Sequence, residues 1–376
     1  MEQLRLLSLA EPGSQRWSYW QQLNISTELI PWQQVIIDEG QLARSFDSLL
    51  KQPCYLRFES PGSDFAISKG FLNAGNLATN DNSTDWLTWP EKFGCLVRPG
   101  LLYAGFKHIL NNLHRSLQHY PQLYPLSCPL AIAEMFDKNT SIARLHKAGI
   151  PTPPTFKPVT NSQILFKELK NRGWKKAYIK LAYGSSASGI IVIDNIATTP
   201  SAITSMVKIK QAFYNTYKLR RITGQQLHSA LDFLIKEGAT AQKAIPMAQI
   251  TGQNFDVRVI MIAAKPEFFI FRLSAQPMTN LHLGGRRGYF DYCRQQIPNR
   301  IWLDAMDHCI AAAKLYDSWV IGIDLLFERD YNHYYIIELN AFGDFFPNLT
   351  NKQGLSVPEV ILNSLQLGKL SLSSDE

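Results

Sequence analysis

The sequence contains no apolar run long enough to cross a membrane. Its apolar N-terminal stretch, residues 4–10, is interrupted by Arg5 and Ser8 and preceded by Glu2, which is not the pattern of a signal peptide or an anchor. The five cysteines are odd in number and scattered, with no Cys-x-x-Cys pair, which argues against a disulfide framework or a zinc site. We therefore predict a cytoplasmic protein that does not contact a membrane.

The sequence also lacks internal repeats and low-complexity tracts, so it is not a solenoid or a disordered linker protein. Its 376 residues exceed one small hydrophobic core and predict two or three subdomains. Prolines concentrate at Pro121, Pro125 and Pro129, and we place the end of a first domain there.

Positive charge is unevenly distributed along the chain. The net charge is +7, yet residues 202–300 alone contain 14 Lys and Arg against 5 Asp and Glu. A basic segment of this kind fits phosphate-rich ligands, either nucleotides or nucleic acid, and also fits a basic face that contacts only solvent.

The first 125 residues alternate between apolar strand-like and helical patterns. Strands are predicted at 4–10, Val35–Ile37 and Tyr55–Phe58, and an amphipathic helix near Gln41–Leu50, an alternation typical of an open α/β sheet. Arg57 and Glu59 close the third strand, where ligands collect in such sheets, but exposure to solvent is the favoured interpretation of both.

A Gly/Ser-rich segment follows in the middle of the chain. The strand-like run Tyr178–Leu181 contains Lys180, residues 184–189 read Gly-Ser-Ser-Ala-Ser-Gly, and Ile190–Ile193 is again strand-like. Such a hairpin loop can fold over phosphates while the lysine contacts them as a point charge. A plain flexible turn is the alternative interpretation.

The strongest local signal lies near the C-terminus. Two β-branched runs, 321–326 and 336–340, flank turn-forming residues and predict a hairpin centred on Tyr331. That register places Asp324 opposite Glu338, with Asn340 on the same face. Two carboxylates and an amide oxygen are ligands that Mg²⁺ prefers when it also binds phosphate. A hairpin with solvated acids at a sheet edge is the alternative.

The order of these features resembles the ATP-grasp superfamily, most closely its ribosomal-protein glutamate ligase and glutathione synthetase branch and an uncharacterised bacterial ATP-grasp group. The resemblance runs from about Phe136 to Pro347. It depends on Lys138 before a helix, Lys180 before the Gly/Ser hairpin, Asp256-x-Arg258, Asn280 with a Gly-Gly loop, Asp324, and Glu338-x-Asn340.

The resemblance implies a mixed α/β and α+β architecture. Two α+β subdomains, 126–240 and 241–376, would clamp ATP after a small α/β domain, 1–125. Lys138 and Lys180 would contact phosphates beneath a lid containing Gly184, Ser185, Ser186 and Gly189. Residues Gln242, Lys243 and Ile245 would line the adenine site.

The same resemblance implies roles for the remaining site residues. Asp324, Glu338 and Asn340 would hold Mg²⁺ or Mn²⁺, and the catalytic residues Arg258, Arg272 and Asn280 would face the γ-phosphate and the developing oxyanion. No acid lies between Lys243 and Asp256, where relatives bind the ribose hydroxyls. Gln249 and Gln253 are the candidates to replace it, and the resemblance leaves the replacement open.

The implied function is an ADP-forming ligase that joins a carboxylate to an amine through an acyl phosphate. The partners would be a small-molecule or peptide carboxylate and an amine, and Arg57, Arg286 and Arg287 favour an anionic substrate unless they are solvated. Two alternatives remain open: a small-molecule kinase, and a non-catalytic protein that binds nucleotides or nucleic acid. A homo-oligomer is compatible with each of these functions.

Overall fold

A computed structural model describes residues 5–23, 25–37, 46–47, 53–62, 64–89, 91–184, 187–344 and 346–372, with the backbone alone for 367–372. Most of the predicted helix at 41–50 lies outside these residues. Within them, three sheets organise the chain in sequence order.

The N-terminal sheet is parallel, as the alternating pattern predicts. Its strands are β1 (Arg5–Ala10), β2 (Ser26–Pro31), β3 (Cys54–Phe58) and β4 (Leu123–Pro125), in the order β2-β1-β3-β4. The accompanying helices are α1 (Gln15–Gln21), α2 (Trp32–Ile37), α3 (Phe65–Thr79) and α4 (Pro99–Leu117).

The strand predicted at Val35–Ile37 is wrong, because these residues form the second half of α2. Their β-branched side chains favour a strand locally. The helix forms instead because it buries Trp32 and Val35, which are 0% and 2% exposed, in the core under the sheet.

The central sheet is antiparallel and carries the Gly/Ser hairpin. Its strands are β5 (Thr155–Phe156), β6 (Ala177–Leu181), β7 (Ile190–Asp194), β8 (Ser201–Ile209), β9 (Ala212–Thr223) and β10 (Ala239–Lys243), in the order β5-β10-β6-β7-β8-β9. The helices in this part of the chain are α5 (Pro129–Phe136), α6 (Lys138–Lys147), α7 (Ser162–Asn171) and α8 (Gly224–Glu237). Leu165, Leu169, Leu231 and Leu234 of α7 and α8 are fully buried in the core of this sheet.

The C-terminal sheet contains the predicted acidic hairpin. Its strands are β11 (Gln249–Ile250), β12 (Gln253–Ile262), β13 (Lys265–Ser274), β14 (Arg286–Arg287), β15 (Val320–Phe327) and β16 (Tyr334–Asn340), in the order β14-β13-β12-β15-β16 with β11 paired to β12. The helices are α9 (Phe290–Gln295), α10 (Asn299–Lys314) and α11 (Val357–Leu372). Asp324 pairs with Glu338 across the hairpin, which confirms the predicted pair, and the register shifts by one residue between Asp324 and Leu325 towards the turn.

The N-terminal and C-terminal sheets share hydrophobic cores. One cluster joins Leu6 and Trp20 of the N-terminal region to Ile260 of β12 and Ile361 of α11. This packing brings the end of β3 and helix α1 towards the C-terminal sheet. None of the helices in the described part of the chain is both long and apolar enough to span a bilayer.

Candidate active site

A cavity of about 570 Å³ is lined by residues of all three sheet regions. Twelve of the predicted site residues in the described chain line it: Lys138, Lys180, Gly184, Gln242, Lys243, Ile245, Arg258, Arg272, Asn280, Asp324, Glu338 and Asn340. Gly189 is not among the lining residues, and Ser185 and Ser186 lie outside the described residues. The fold therefore gathers residues that are up to two hundred positions apart in sequence.

The candidate metal ligands lie on the hairpin of β15 and β16. Asp324 faces Glu338, and Asn340 lies two residues after Glu338, opposite Gly322. A side chain at Gly322 would place its Cβ 3.2 Å from the Cβ of Asn340, so glycine leaves room for the amide. In the described residues no cluster has three or more His, Cys, Asp or Glu metal ligands. Two carboxylates and one amide remain a donor set that fits Mg²⁺ or Mn²⁺.

Two buried arginines neutralise Asp324. Arg258 on the neighbouring strand forms a bidentate pair with Asp324, and Arg272 Nη2 lies 3.0 Å from the same carboxylate. Arg272 also forms a bidentate pair with Asp256. Burial alone would raise the pKa of Asp324, but the two guanidinium charges hold that pKa well below its usual range. Asp324 is consequently ionised wherever the protein is folded near neutral pH.

The two predicted phosphate-binding lysines both line the cavity. Lys138 is the first residue of α6, and its Nζ lies 3.2 Å from Oε1 of Glu338 and donates to the carbonyl oxygen of Gly184. Lys180 Nζ donates to Oε1 of Gln242 at 2.9 Å. Burial lowers the pKa of Lys180, partly offset by the charge of Glu338. An anionic ligand would stabilise both ammonium groups.

The lid segment is anchored to the N-terminal region by a ring stack. Tyr183 lies parallel to Tyr103 of α4, with ring centroids 3.9 Å apart and an interplanar angle of 6°. At the other end of the segment, Gly189 has φ +66° and approaches Leu181 so closely that a Cβ would collide with its side chain. Tyr183 and Gly189 are therefore held in place, and Gly184 and Ala187 between them line the cavity.

The predicted adenine end combines polar and apolar side chains. Ile245, Met247 and Leu326 line the cavity beside Gln242 and Lys243 and provide an apolar surface for a base. Gln249 bonds to Asn254 and Gln253 accepts from Arg286, and neither glutamine lines the cavity. In this structure they therefore do not replace the ribose-binding acid.

The loop containing Asn280 also lines the cavity. Asn280 Oδ1 accepts a hydrogen bond from the backbone of His282 at 2.8 Å and caps the short 3₁₀ helix Leu281–Leu283. A Cβ at Gly285 would lie 2.3 Å from the carbonyl oxygen of Thr279, so the loop requires glycine there. Arg287, just beyond, lines the cavity with its guanidinium carbon 4.7 Å from the ring centre of Phe346.

The turn Ser60–Gly62, which follows the third predicted strand where ligands are expected to collect, lines the cavity. Sequence reasoning missed two charged residues of the cavity wall, Arg16 and Asp344. Asp344 follows Glu338-x-Asn340 by four residues, so an acid so close to a predicted metal site was a usable signal. Arg16 lies in a short helix, and nothing in the local pattern distinguishes it. Arg57 and Glu59 are 7% and 1% exposed, which makes their interpretation as solvated residues wrong.

The basic segment 202–300 is partly explained by the cavity, because Lys243, Arg258, Arg272 and Arg287 all line it. Counting the lining residues that the structure describes, seven are Lys or Arg and four are Asp or Glu. This excess of positive charge favours an anionic ligand in the cavity.

The sequence matches the family profile described as YheC/D-like ATP-grasp over residues 134–353. The chain belongs to this ATP-grasp family. The match starts in α5 and ends after the C-terminal hairpin, so it contains all of the predicted site residues. The finer assignment to the glutamate ligase and glutathione synthetase branch stays a prediction. Curated protein sequences give no significant match.

Solved ATP-grasp structures have the same fold as the YheC/D-like chain. ATP-grasp ligase PsnB with a minimal precursor has a TM-score of 0.52 at 14% identity, covering 98% of this chain and 99% of that chain. A Chryseobacterium gregarium RiPP-associated ATP-grasp ligase with ADP and a leader and core peptide has a TM-score of 0.51 at 12% identity, covering 96% and 97%. D-alanine–D-alanine ligase from Bacillus anthracis has a TM-score of 0.50 at 12% identity, covering 92% and 89%. At these identities the likeness concerns the fold.

Proposed function

We propose that this YheC/D-like ATP-grasp protein is an ATP- and Mg²⁺-dependent ligase. It would join a carboxylate to an amine through an acyl phosphate and release ADP. One observation carries the proposal: lysines, arginines and a hard-oxygen metal donor set line a single cavity. The structural neighbours named above as ligases support the same class of reaction.

Different residues of the cavity would bind the phosphates, the metal ion and the reacting groups. Lys138 and Lys180 would bind the phosphates of ATP, with the lid segment above them. Asp324, Glu338 and Asn340 would hold Mg²⁺, which supplies charge neutralisation to the phosphates when bound. Arg258 and Arg272 would face the γ-phosphate and the carboxylate that receives it.

Transfer of the γ-phosphoryl group to a carboxylate needs positioning and charge neutralisation more than covalent help from the protein. The ion pairs on the C-terminal sheet hold Arg258 and Arg272 rigidly, which suits that task. An amine then attacks the acyl phosphate and phosphate leaves. The lid would exclude water, because water destroys acyl phosphates.

The testing experiment traps the acyl phosphate with hydroxylamine. The full chain is incubated with Mg·ATP and a pool of amino acids and dicarboxylic acids, and ADP, AMP and hydroxamate are measured. We expect hydroxamate and ADP in equal amounts. ADP with a phosphorylated product and no hydroxamate would replace the ligase by a kinase, and absence of nucleotide binding would leave only a non-catalytic role.

The substitution Glu338→Gln tests the proposed Mg²⁺ ligands. We expect hydroxamate formation to fall about 100-fold or more, because the variant loses a metal-ligating charge at the site of phosphoryl transfer. Thermal stability should fall as well, since Lys138 is 9% exposed and loses an ion-pair partner, so ADP binding serves as the check that the variant is folded. Glu328→Gln, in the turn of the same hairpin and outside the cavity, is the control.

A further inference from the structure

Three arginines favour an anionic substrate on sequence grounds, and the structure separates them. Arg57 is 7% exposed and is neutralised by the carboxylate of Glu59. Arg286 donates from Nε to Oε1 of Gln253 at 2.9 Å and does not line the cavity. Arg287, the next residue, does line it. Of the three, Arg287 is therefore the one that a ligand in the cavity can reach.

The strand pairing explains why the two neighbouring arginines differ. Arg287 on β14 pairs with Arg272 on β13, and Arg286 pairs with Leu273. Side chains at paired positions lie on the same face of a sheet, and successive residues of a strand point to opposite faces. Arg272 lines the cavity, so Arg287 lies beside it on that face, whereas Arg286 points away. The ring of Phe346 supports Arg287 there, with its centre 4.7 Å from the guanidinium carbon.

Arg272 and Arg287 carry the same charge in paired positions. Such side chains repel each other, because cross-strand neighbours are only about 5 Å apart. Arg272 is neutralised by Asp256 and Asp324. Within the residues that the structure describes, the side chain of Arg287 forms neither an ion pair nor a hydrogen bond. Its N–H donors are therefore available to an anion, and a bound anion would relieve the repulsion.

The other arginines of the cavity wall are already neutralised. Arg258 and Arg16 each contact two carboxylates of the protein, as Arg272 does. In the described part of the chain, Arg287 is thus the arginine of the cavity wall whose charge is left for a ligand to balance.

We propose that Arg287 binds a second carboxylate of the acid substrate, so that this substrate is a dicarboxylic acid. The inference rests on the proposed ligase function and names the class of its carboxylate substrate. A guanidinium group donates two parallel hydrogen bonds to a carboxylate, which makes arginine well suited to this recognition. The contact with Phe346 restricts the guanidinium before the ligand binds and so reduces the entropy lost on binding.

The order of the strands determines which carboxylate reacts. In the order β14-β13-β12-β15-β16, Arg287 lies on the edge strand opposite the hairpin that contains Asp324 and Glu338. One carboxylate would lie at Arg258 and Arg272, where its oxygen attacks the γ-phosphorus of ATP and ADP leaves. The amine then displaces phosphate from this acyl phosphate. The carboxylate on Arg287 orients the acid and is carried unchanged into the product.

The test compares dicarboxylic acids with their monoamides, using the full chain. The unbranched diacids from malonate to suberate, aspartate and glutamate in both configurations, the monoamides of each, and phosphonoacetate are supplied with Mg·ATP and hydroxylamine. The kcat and KM of hydroxamate formation are measured, and calorimetry in the presence of Mg·ADP measures binding. We expect at least one diacid to bind and react, and its monoamides to bind about tenfold to a hundredfold more weakly, because one charged hydrogen-bonding group is lost.

Arg287→Gln should raise the KM for that diacid by a similar factor and change kcat little, because Arg287 contacts the end of the acid that does not react. The variant should no longer prefer the diacid over its monoamides. Arg287→Lys should retain part of the preference, since lysine keeps the charge without the paired hydrogen bonds.

Arg286→Gln is the matched control, because Arg286 is the exposed neighbour on the same short strand and does not line the cavity. It should keep the kcat and KM of the parent protein. The affinity for Mg·ADP should be the same in all three variants, which checks that each is folded.

Three results would overturn the inference: no diacid binds to protein that binds Mg·ADP, a monoamide is used as well as its diacid, or Arg287→Gln leaves the KM for the diacid unchanged. Phosphonoacetate that binds more tightly than every diacid, and depends on Arg287, would replace the second carboxylate by a phosphate group.

These failures are separate from failure of the proposed function. Hydroxamate formed from monocarboxylic acids alone would retain the ligase and remove the role of Arg287. Diacid binding that depends on Arg287, with neither ADP nor hydroxamate formed, would retain the site and remove the ligase.

Discussion

Lys180 is a buried charge that lowers the stability of the ligand-free protein below the ordinary pKa of lysine. Its ammonium group is buried against Gln242, and that burial lowers its pKa. The folded protein therefore binds fewer protons at this residue than the unfolded chain. Stability consequently rises with pH up to the ordinary pKa of lysine, where the unfolded chain also loses the proton.

Lys180→Met removes this buried charge and keeps the length of the side chain. We expect the ligand-free melting temperature at pH 7 to be unchanged or higher and the rise of stability between neutral pH and pH 10 to be smaller. ADP binding should weaken at least about tenfold, since a charged contact to phosphate is lost. A clear fall in melting temperature would show that Lys180 stabilises the ligand-free fold.

Glu237 is a buried carboxylate whose ionisation makes the stability of the protein depend on pH. It lies at the end of α8, accepts from the backbone of Gly100 at 3.1 Å, and has a pKa raised mainly by burial. Because this pKa is higher in the folded protein than in the unfolded chain, ionisation of Glu237 lowers the stability of the protein at high pH. At low pH the carboxyl group is protonated in both the folded and the unfolded state, and the effect disappears. Glu237→Gln should thus raise the melting temperature at pH 7.5, with the difference shrinking towards pH 4. A difference independent of pH would contradict this.

At the scale of elements, Tyr183, which precedes the proposed lid at 184–189, stacks on Tyr103 of helix α4. Stacked aromatic pairs contribute about 0.5–1.5 kcal/mol beyond burial. In Tyr183→Leu we expect the lid to admit water more often, so that ADP formed per hydroxamate rises about two- to tenfold. Tyr124→Leu, in a tyrosine pair on β4 outside the cavity, should keep the ratio of the parent protein.

The elements that sequence predicts best are those whose pattern is local. The sequence predicts the hairpin of β15 and β16 with the pairing of Asp324 and Glu338, because turn residues between two β-branched runs bring the runs together within twenty residues. Helix α2 was missed because long-range packing of Trp32 and Val35 outweighs their local preference. Arg16 was missed for a related reason: its place on the cavity wall depends on how two distant sheets pack together.

At the scale of the whole molecule, α11 joins the N-terminal and C-terminal sheets. Ile361 is fully buried in the cluster that contains Leu6 and Ile260. Ile361→Ala should lower the free energy of unfolding by about 2–5 kcal/mol, the usual cost of such a cavity. Because the core is shared, tryptophan fluorescence and circular dichroism should report one common transition. Two separated transitions would show that the sheets unfold independently.

The contact between Arg16 and Asp344 also constrains how such a protein can change. The two residues are far apart in the sequence, yet they approach each other on the cavity wall. Grafting the first domain of a relative onto this chain would exchange one member of that contact and leave the other in place. Positions 16 and 344 should therefore be varied together in such a graft, since a single replacement would leave a mismatched charge beside Arg258.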